Sequence, residues 1–124
     1  MPFWFGRGKT AKNLVKEWER TQVSNIVRDI VRIIPERAPF LRDIAASSLS
    51  DLINKNLEFS ISEPEAISGN TYSVIDTIRV KVGPGIPLIG KQFTISMNYN
   101  LRVNVKEKRV DATPDISSLK IDFV

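Results

Sequence analysis

Residues 92–106 read QFTISMNYNLRVNVK, and every second side chain from Phe93 to Val105 is apolar. The side chains between them are polar or charged. Because successive side chains of a strand point to opposite faces, this pattern predicts one long strand with a buried face and a solvated face. Such strict alternation is typical of an antiparallel sheet that is covered on one side only. The rest of the chain must supply the layer that covers it.

Other alternating runs predict the strands that pair with this one. Residues 57–61 form a short run and residues 71–82 a long one, and a last strand is expected through residues 119–123. Pro114 has no backbone N–H to donate to a neighbouring strand. We therefore expect an edge strand or a bulge near this proline.

The loop GPGIPLIG, residues 83–90, connects the two long strands and bears on their register. If Val82 pairs with Lys91, apolar residues face each other along both strands, and such cross-strand pairs stabilise a sheet. A slip of one residue would turn one strand inside out. We therefore expect this register, which places Asp76 opposite Met97.

Two segments before the strands have the apolar spacing of helices. The first covers residues 10–34, with Thr10 as N-cap and Pro35 at its end, and the second covers residues 39–54. In the first, the apolar stripe turns by roughly a quarter circle at its middle, at about 100° per residue. Its two halves must therefore face different neighbours, or the helix must bend.

These elements predict an α+β fold in which two N-terminal helices pack on one face of an antiparallel meander of four or five strands. The chain has 124 residues and is expected to form a single domain. Its parts are a basic-aromatic arm at residues 1–9, a helical part at 10–56 and the sheet at 57–124.

The composition excludes several kinds of site. The chain contains no cysteine and no histidine, so a thiol nucleophile, a thiolate zinc site and the commonest general base are absent. Gly8-Lys9-Thr10 resembles the end of a phosphate-binding loop, but that motif also needs a glycine where Phe3 stands. No pair of carboxylates has the spacing of a calcium loop or of an acid/base pair. We expect no enzymatic activity, no metal and no cofactor.

The net charge of +4 arises in the first sixteen residues, which contain no aspartate or glutamate. The aromatic and basic residues of this segment are Phe3, Trp4, Phe5, Arg7, Lys9, Lys12 and Lys16. On a helical wheel the basic side chains Lys9, Lys12, Lys16 and Arg20 lie opposite the apolar stripe Ala11, Leu14, Val15 and Trp18. Charge attracts such a helix to an anionic surface, and aromatic rings then bury at the interface.

The tip of the long hairpin is unusually apolar, with Ile86, Leu88 and Ile89 where polar residues are usual. Either the tip folds back over the core, or it is exposed for a partner or a lipid.

Asp76 is also unusual, because it interrupts the apolar face of its strand. Either that face opens to solvent there, or an arginine reaches the carboxylate, or the carboxylate contacts a ligand; if buried, it needs a partner or a raised pKa.

We therefore expect a non-enzymatic binding domain that docks on an anionic membrane or holds an apolar, lipid-like ligand. Its surface would comprise Phe3, Trp4, Phe5, Arg7, Lys9, Lys12, Lys16, Arg20, Ile86, Leu88 and Ile89. The alternative is a structural subunit, in homo-oligomeric or mixed assembly, whose arm and hairpin tip are buried against neighbouring chains. Nucleic acid is a less favoured partner, because the polar face of the sheet offers no aromatic side chain for base stacking.

No apolar run approaches the length of a membrane-spanning helix, and no secretory signal is recognisable. A basic, acid-free start is also typical of mitochondrial transit peptides, but these favour arginine and serine. Here lysine predominates and no serine occurs before Ser24. The expected location is the cytoplasm, with peripheral attachment to a membrane.

Overall fold

The computed structural model describes residues 3–39, 42, 45–82 and 92–123, with the backbone alone for residues 3–7 and Ala46. In chain order the elements are α1 (Phe3–Arg37), α2 (Ala46–Lys55), β1 (Leu57–Ile61), β2 (Glu65–Ser68), β3 (Thr71–Val82), β4 (Phe93–Asn104) and β5 (Arg109–Phe123). The strands form one antiparallel sheet in the order β1-β3-β4-β5, and β2 also pairs with β3. The predicted α+β fold is confirmed.

One face of the sheet is buried and the other carries polar side chains, as the alternation in β4 predicts. α1 packs against α2 and against β1, β4 and β5, so the helical layer lies on the buried face. The fully buried large side chains come from both layers and include Ile26, Ile30, Ile34, Leu49, Ile53, Ile78, Phe93, Ile95, Met97 and Leu101. This interface between layers is the core of the protein.

The first helix is longer than its sequence pattern predicts at both ends. It begins at Phe3, so residues 3–9 of the predicted arm belong to the helix. At its other end it passes Pro35 and ends at Arg37. Proline removes one intrahelical hydrogen bond, but Ala38 N–H still donates to the Ile34 carbonyl at 2.8 Å. The final turn therefore closes despite the proline.

The second helix begins later than predicted, at Ala46 instead of residue 39. Arg42 N–H donates to the Pro39 carbonyl at 3.1 Å, which closes a turn at the expected start. Ala45 then has ψ of 138°, an extended conformation that a helix cannot include. Phe40, Leu41 and Ile44 fall within the predicted helix and lie outside the described residues.

The register between β3 and β4 differs from the predicted one by two residues. Val82 pairs with Phe93, and Asp76 lies opposite Tyr99 instead of Met97. A shift of two residues keeps every side chain on its face, so alternation alone does not distinguish the two registers. In the observed register both strands are paired from end to end. The expected register would have left the last residues of β4 beyond the end of β3.

The edge strand beside β3 is interrupted, and its second part, β2, has no counterpart in the sequence prediction. β1 pairs with the second half of β3 and β2 with its beginning. Between them, Ser62 N–H donates to the Ile75 carbonyl at 2.9 Å, and Ile75 N–H donates to Ser62 Oγ at 2.8 Å. Glu63 and Pro64 then leave the sheet, which places them beside the first helix.

β5 is one continuous edge strand with a bulge, as Pro114 predicts. The pairing with β4 shifts between Ser96 and Asn98, so β5 has extra residues there. Asn98 N–H donates to Ser118 Oγ at 2.8 Å, and that hydroxyl donates to the Asp115 carbonyl at 2.6 Å. The serine thus supplies a partner where the ladder is interrupted.

Candidate functional site

A cleft of about 480 Å³ opens between the first turns of α1 and the interrupted edge of the sheet. We call it the N-terminal cleft. Its lining consists of Gly8, Lys9, Lys12, Glu63, Pro64, Ala66 and Tyr72. The walls are largely apolar and the charged groups come from α1 and from the link between β1 and β2. The cleft thus brings together two of the basic residues that the sequence singles out.

Lys12 has an acidic partner, although the N-terminal segment itself contains no aspartate or glutamate. Lys12 Nζ lies 2.6 Å from Glu63 Oε1. The Glu63 side chain is 87% exposed, and an ion pair of this kind contributes no more than about 1 kcal/mol because water screens it. The fold therefore supplies an acidic partner from a distant part of the chain, but holds it weakly.

The other basic residues differ in their surroundings. Lys9 and Lys16 are exposed, and neither has an acidic group within ion-pair distance in the described part of the chain. Arg20 lies 3.9 Å from Glu17, one turn before it on the same helix. Ala11 and Val15, on the other side of α1, are fully buried. The predicted separation of charge and apolar surface on this helix is confirmed for these residues.

Two groups of predicted site residues lie outside what the structure describes. The backbone of Phe3, Trp4, Phe5 and Arg7 belongs to α1, but their side chains are not described. Ile86, Leu88 and Ile89 of the hairpin tip also lie outside the described residues. Their proposed roles remain predictions.

A pair of buried carboxyl groups lies where α1 crosses the sheet. Asp76 of β3 is 0% exposed and Glu19 of α1 is 9% exposed. No N–H or O–H group of the described residues donates to either Asp76 oxygen or to Glu19 Oε2. A proton on one of the two carboxyl groups supplies the missing donor.

Burial, followed by the hydrogen bond and the charge of Glu19, raises the pKa of Asp76 to about 9. Asp76 consequently keeps its proton at neutral pH. Asp76 is fully buried, and no arginine of the described residues lies within ion-pair distance of it, so those two expectations are wrong. The raised pKa agrees with what is expected of a buried carboxyl group. The sequence prediction did not include Glu19 among the candidate site residues. Its position one turn after Val15, on the buried side of α1, is the signal that could have identified it.

A second groove lies on the opposite flank of α1, against β5. Tyr99 OH donates to Asp29 Oδ2 at 3.1 Å, and the ring centroids of Trp18 and Tyr99 are 5.6 Å apart. The groove has a volume of about 340 Å³ and Gln22 and Asn25 also line it. Burial and the Asp29 carboxylate raise the pKa of Tyr99 above its ordinary value. The tyrosine therefore stays neutral and anchors α1 to β4.

The described residues limit the chemistry that these features can perform. They contain no group of three carboxylates placed to hold a metal ion. Among the helices described, none is both long enough and apolar enough to cross a membrane. The arrangement provides an amphipathic basic helix, a cleft at its side, and the buried carboxyl groups of Glu19 and Asp76 between the helix and the sheet.

Comparison with known proteins does not identify a family. No protein-family model, no curated protein sequence and no solved structure matches this chain.

Proposed function

We propose that this protein is a non-enzymatic binding domain that docks on an anionic lipid surface through the basic flank of α1. The observation that carries the proposal is the exposure of Lys9 and Lys16 with no acidic partner among the described residues. Their helix is fixed to the sheet by buried residues on its other side. The two charges are therefore held in place at the surface of the domain.

The geometry of the basic row favours an extended surface over a single bound phosphate. Lys9, Lys12, Lys16 and Arg20 recur on one side of α1 and span roughly 16 Å of helix axis at about 1.5 Å per residue. Each basic residue near an anionic membrane contributes about 1 kcal/mol of attraction. A row of this length meets several lipid headgroups at once.

The lining of the N-terminal cleft supports a lipid over a nucleic acid as the partner. Pro64, Ala66 and Tyr72 give it an apolar wall next to the cationic row. An amphiphile offers both a headgroup for the lysines and an apolar part for such a wall. Phe3, Trp4 and Phe5 belong to the start of α1, one to two turns before the helical residues of the cleft. They place three aromatic residues at the same end of the helix.

Co-sedimentation with vesicles tests the proposal. We expect the protein to bind phosphatidylcholine vesicles that contain phosphatidylserine, and not vesicles of phosphatidylcholine alone. The variant K9E/K16E is expected to lower the partition coefficient about 30-fold or more, because two attractive charges become repulsive. High salt should release the protein, since it screens exposed charges.

The matched control is R79E/R102E, which changes the net charge equally on the polar face of the sheet. Arg79 and Arg102 are exposed, and neither lies within ion-pair distance of an acidic group in the described residues. We expect this variant to bind nearly as well as the wild type. Equal losses in both variants, or no binding to anionic vesicles at low salt, would contradict the proposal.

A second prediction concerns the ion pair in the cleft. Replacing Glu63 by glutamine frees Lys12 for a lipid phosphate, and we expect the partition coefficient to rise about fivefold, the effect of one further basic residue near the surface. The measurement is the same vesicle titration.

Glu58→Gln serves as the control for this substitution. Glu58 lies 3.8 Å from Lys81 on the polar face of the sheet, so the variant makes the same change of charge away from α1. We expect little effect on vesicle binding. A similar rise in both variants would show that net charge, and not the freed lysine, controls binding.

A further inference from the structure

The free edge of the sheet carries a short sequence that is complementary to itself. In the described residues β5 pairs with β4 on one side and with no strand on the other. The first half of this edge contains Pro114 and leads into the bulge, both of which disfavour a further strand. After the bulge the pairing with β4 is regular again, from Lys120 to Phe123.

Residues 119–123 read LKIDF. When a second copy of this segment is placed antiparallel to the first and centred on Ile121, oppositely charged residues face each other. Lys120 of each copy then lies opposite Asp122 of the other, and Ile121 lies opposite itself. Lys120 and Asp122 are exposed on the polar face, and neither has an ion-pair partner among the described residues. Ile121 lies on the apolar face and packs against the core.

We propose that two copies of this chain pair through residues 119–123 of β5 and so join their sheets into one. The proposal is independent of the proposed membrane docking, which uses the basic flank of α1 and the N-terminal cleft beside β2. A two-fold axis at Ile121 forms both Lys120–Asp122 pairs at once, at the separation of directly opposed residues. The other edge strand, β1, forms no such charge pairs with a second copy. If two β1 strands pair antiparallel about Phe59, Glu58 lies opposite Ser60.

The interface is short, so the dimer is expected to be weak. Specific, stable interfaces bury well over 1,000 Å² in general, and one pair of short strand segments buries less than that. We therefore expect a concentration-dependent equilibrium between monomer and dimer, which sedimentation velocity or light scattering measures directly.

Charge exchange tests the register. Lys120→Glu and Asp122→Lys alter the net charge in opposite directions, yet each replaces two attractive pairs by two repulsive ones. We expect each single variant to raise the dimer dissociation constant about tenfold. The double variant K120E/D122K restores both pairs and should return the constant to within about twofold of the wild type. Arg102→Glu on the central strand β4 is the control, and it should leave dimerisation unchanged.

A cysteine placed on the axis gives a second measurement. The chain has no cysteine, so a disulfide in a single-cysteine variant can only link two copies. Opposed residues of antiparallel strands have Cα atoms about 4.5–5.5 Å apart, within the range that a disulfide needs. We expect Ile121→Cys to form a covalent dimer on oxidation and Asp122→Cys, which faces Lys120 of the other copy, to form much less.

A monomer at every concentration at low salt would overturn the proposal. Failure of the double variant to restore pairing would overturn it too, because a head-to-tail contact with the β1 edge gives no rescue by charge exchange. An adventitious contact would also cross-link both cysteine variants equally.

Discussion

Replacing Asp76 by asparagine is expected to raise the free energy of unfolding by roughly 2–4 kcal/mol at pH 7. In the wild type the folded protein holds a proton on a carboxyl group that would be ionised in the unfolded chain at this pH. Asparagine has nearly the same shape, needs no proton, and its amide donates to the Glu19 carboxylate. Chemical denaturation of both proteins in the same buffer measures the difference.

The pH dependence follows from the direction of the shift. Asp76 has an ordinary pKa of 3.8, and its pKa in the folded protein is about 9. Between these values the folded state binds more protons than the unfolded state, so the stability that the protonated pair contributes falls as the pH rises. It is fully present below about pH 4 and is lost as the pH passes about 9. The advantage of D76N should therefore be large at pH 8 and nearly absent at pH 4.

Two further variants separate this mechanism from a general change in charge. Glu19→Gln removes the neighbouring charge and is expected to stabilise the protein in the same direction. Asp51→Asn, on the exposed side of α2, makes the same chemical change as D76N without burial, so it should leave the pH dependence as it is. A wild type and a D76N variant with parallel stability curves from pH 4 to pH 8 would contradict the assignment.

Replacing Ile78 by alanine is expected to lower the free energy of unfolding by about 3–4 kcal/mol. Ile78 is 1% exposed and lies on the face of β3 that the helices cover. Truncating it removes apolar contacts and leaves a cavity that the close-packed interface fills only in part. Denaturant unfolding gives the value, and the slope of the transition reports whether folding stays cooperative.

The same strand offers a control of the same residue type. Ile75 is 43% exposed on the opposite face of β3, so Ile75→Ala removes mostly solvated surface. We expect it to cost less than about 1 kcal/mol. Equal losses at positions 75 and 78 would mean that another layer covers the polar face of the sheet.

Much of the fold is readable from local pattern because each side chain in a strand has only two directions to point. The alternation in residues 71–82 and 92–106 correctly predicts two long antiparallel strands and the buried face of each. Helix boundaries were harder to predict. Gly8 lowers helix propensity and Pro35 breaks a hydrogen bond, yet the packing of α1 on the sheet outweighs both costs.

The candidate site was predictable only in its charges. Lys9, Lys12 and Lys16 are visible in the sequence as a basic row, but their surroundings are not. Glu63 approaches Lys12 because β1 ends and the chain turns out of the sheet before β2 begins. At that interruption Ser62 bonds to Ile75, which is 13 residues further along the chain.

The sequence by itself determined which faces of the strands and of α1 are apolar, since that depends only on local periodicity. It also determined that Asp76 would stand on an apolar face. Only the tertiary structure decided what meets that carboxyl group. A shift of two residues between β3 and β4 preserves the faces but changes every cross-strand neighbour, and the crossing of α1 over the sheet sets Glu19 against Asp76. These choices depend on how whole elements pack, and no local pattern encodes them.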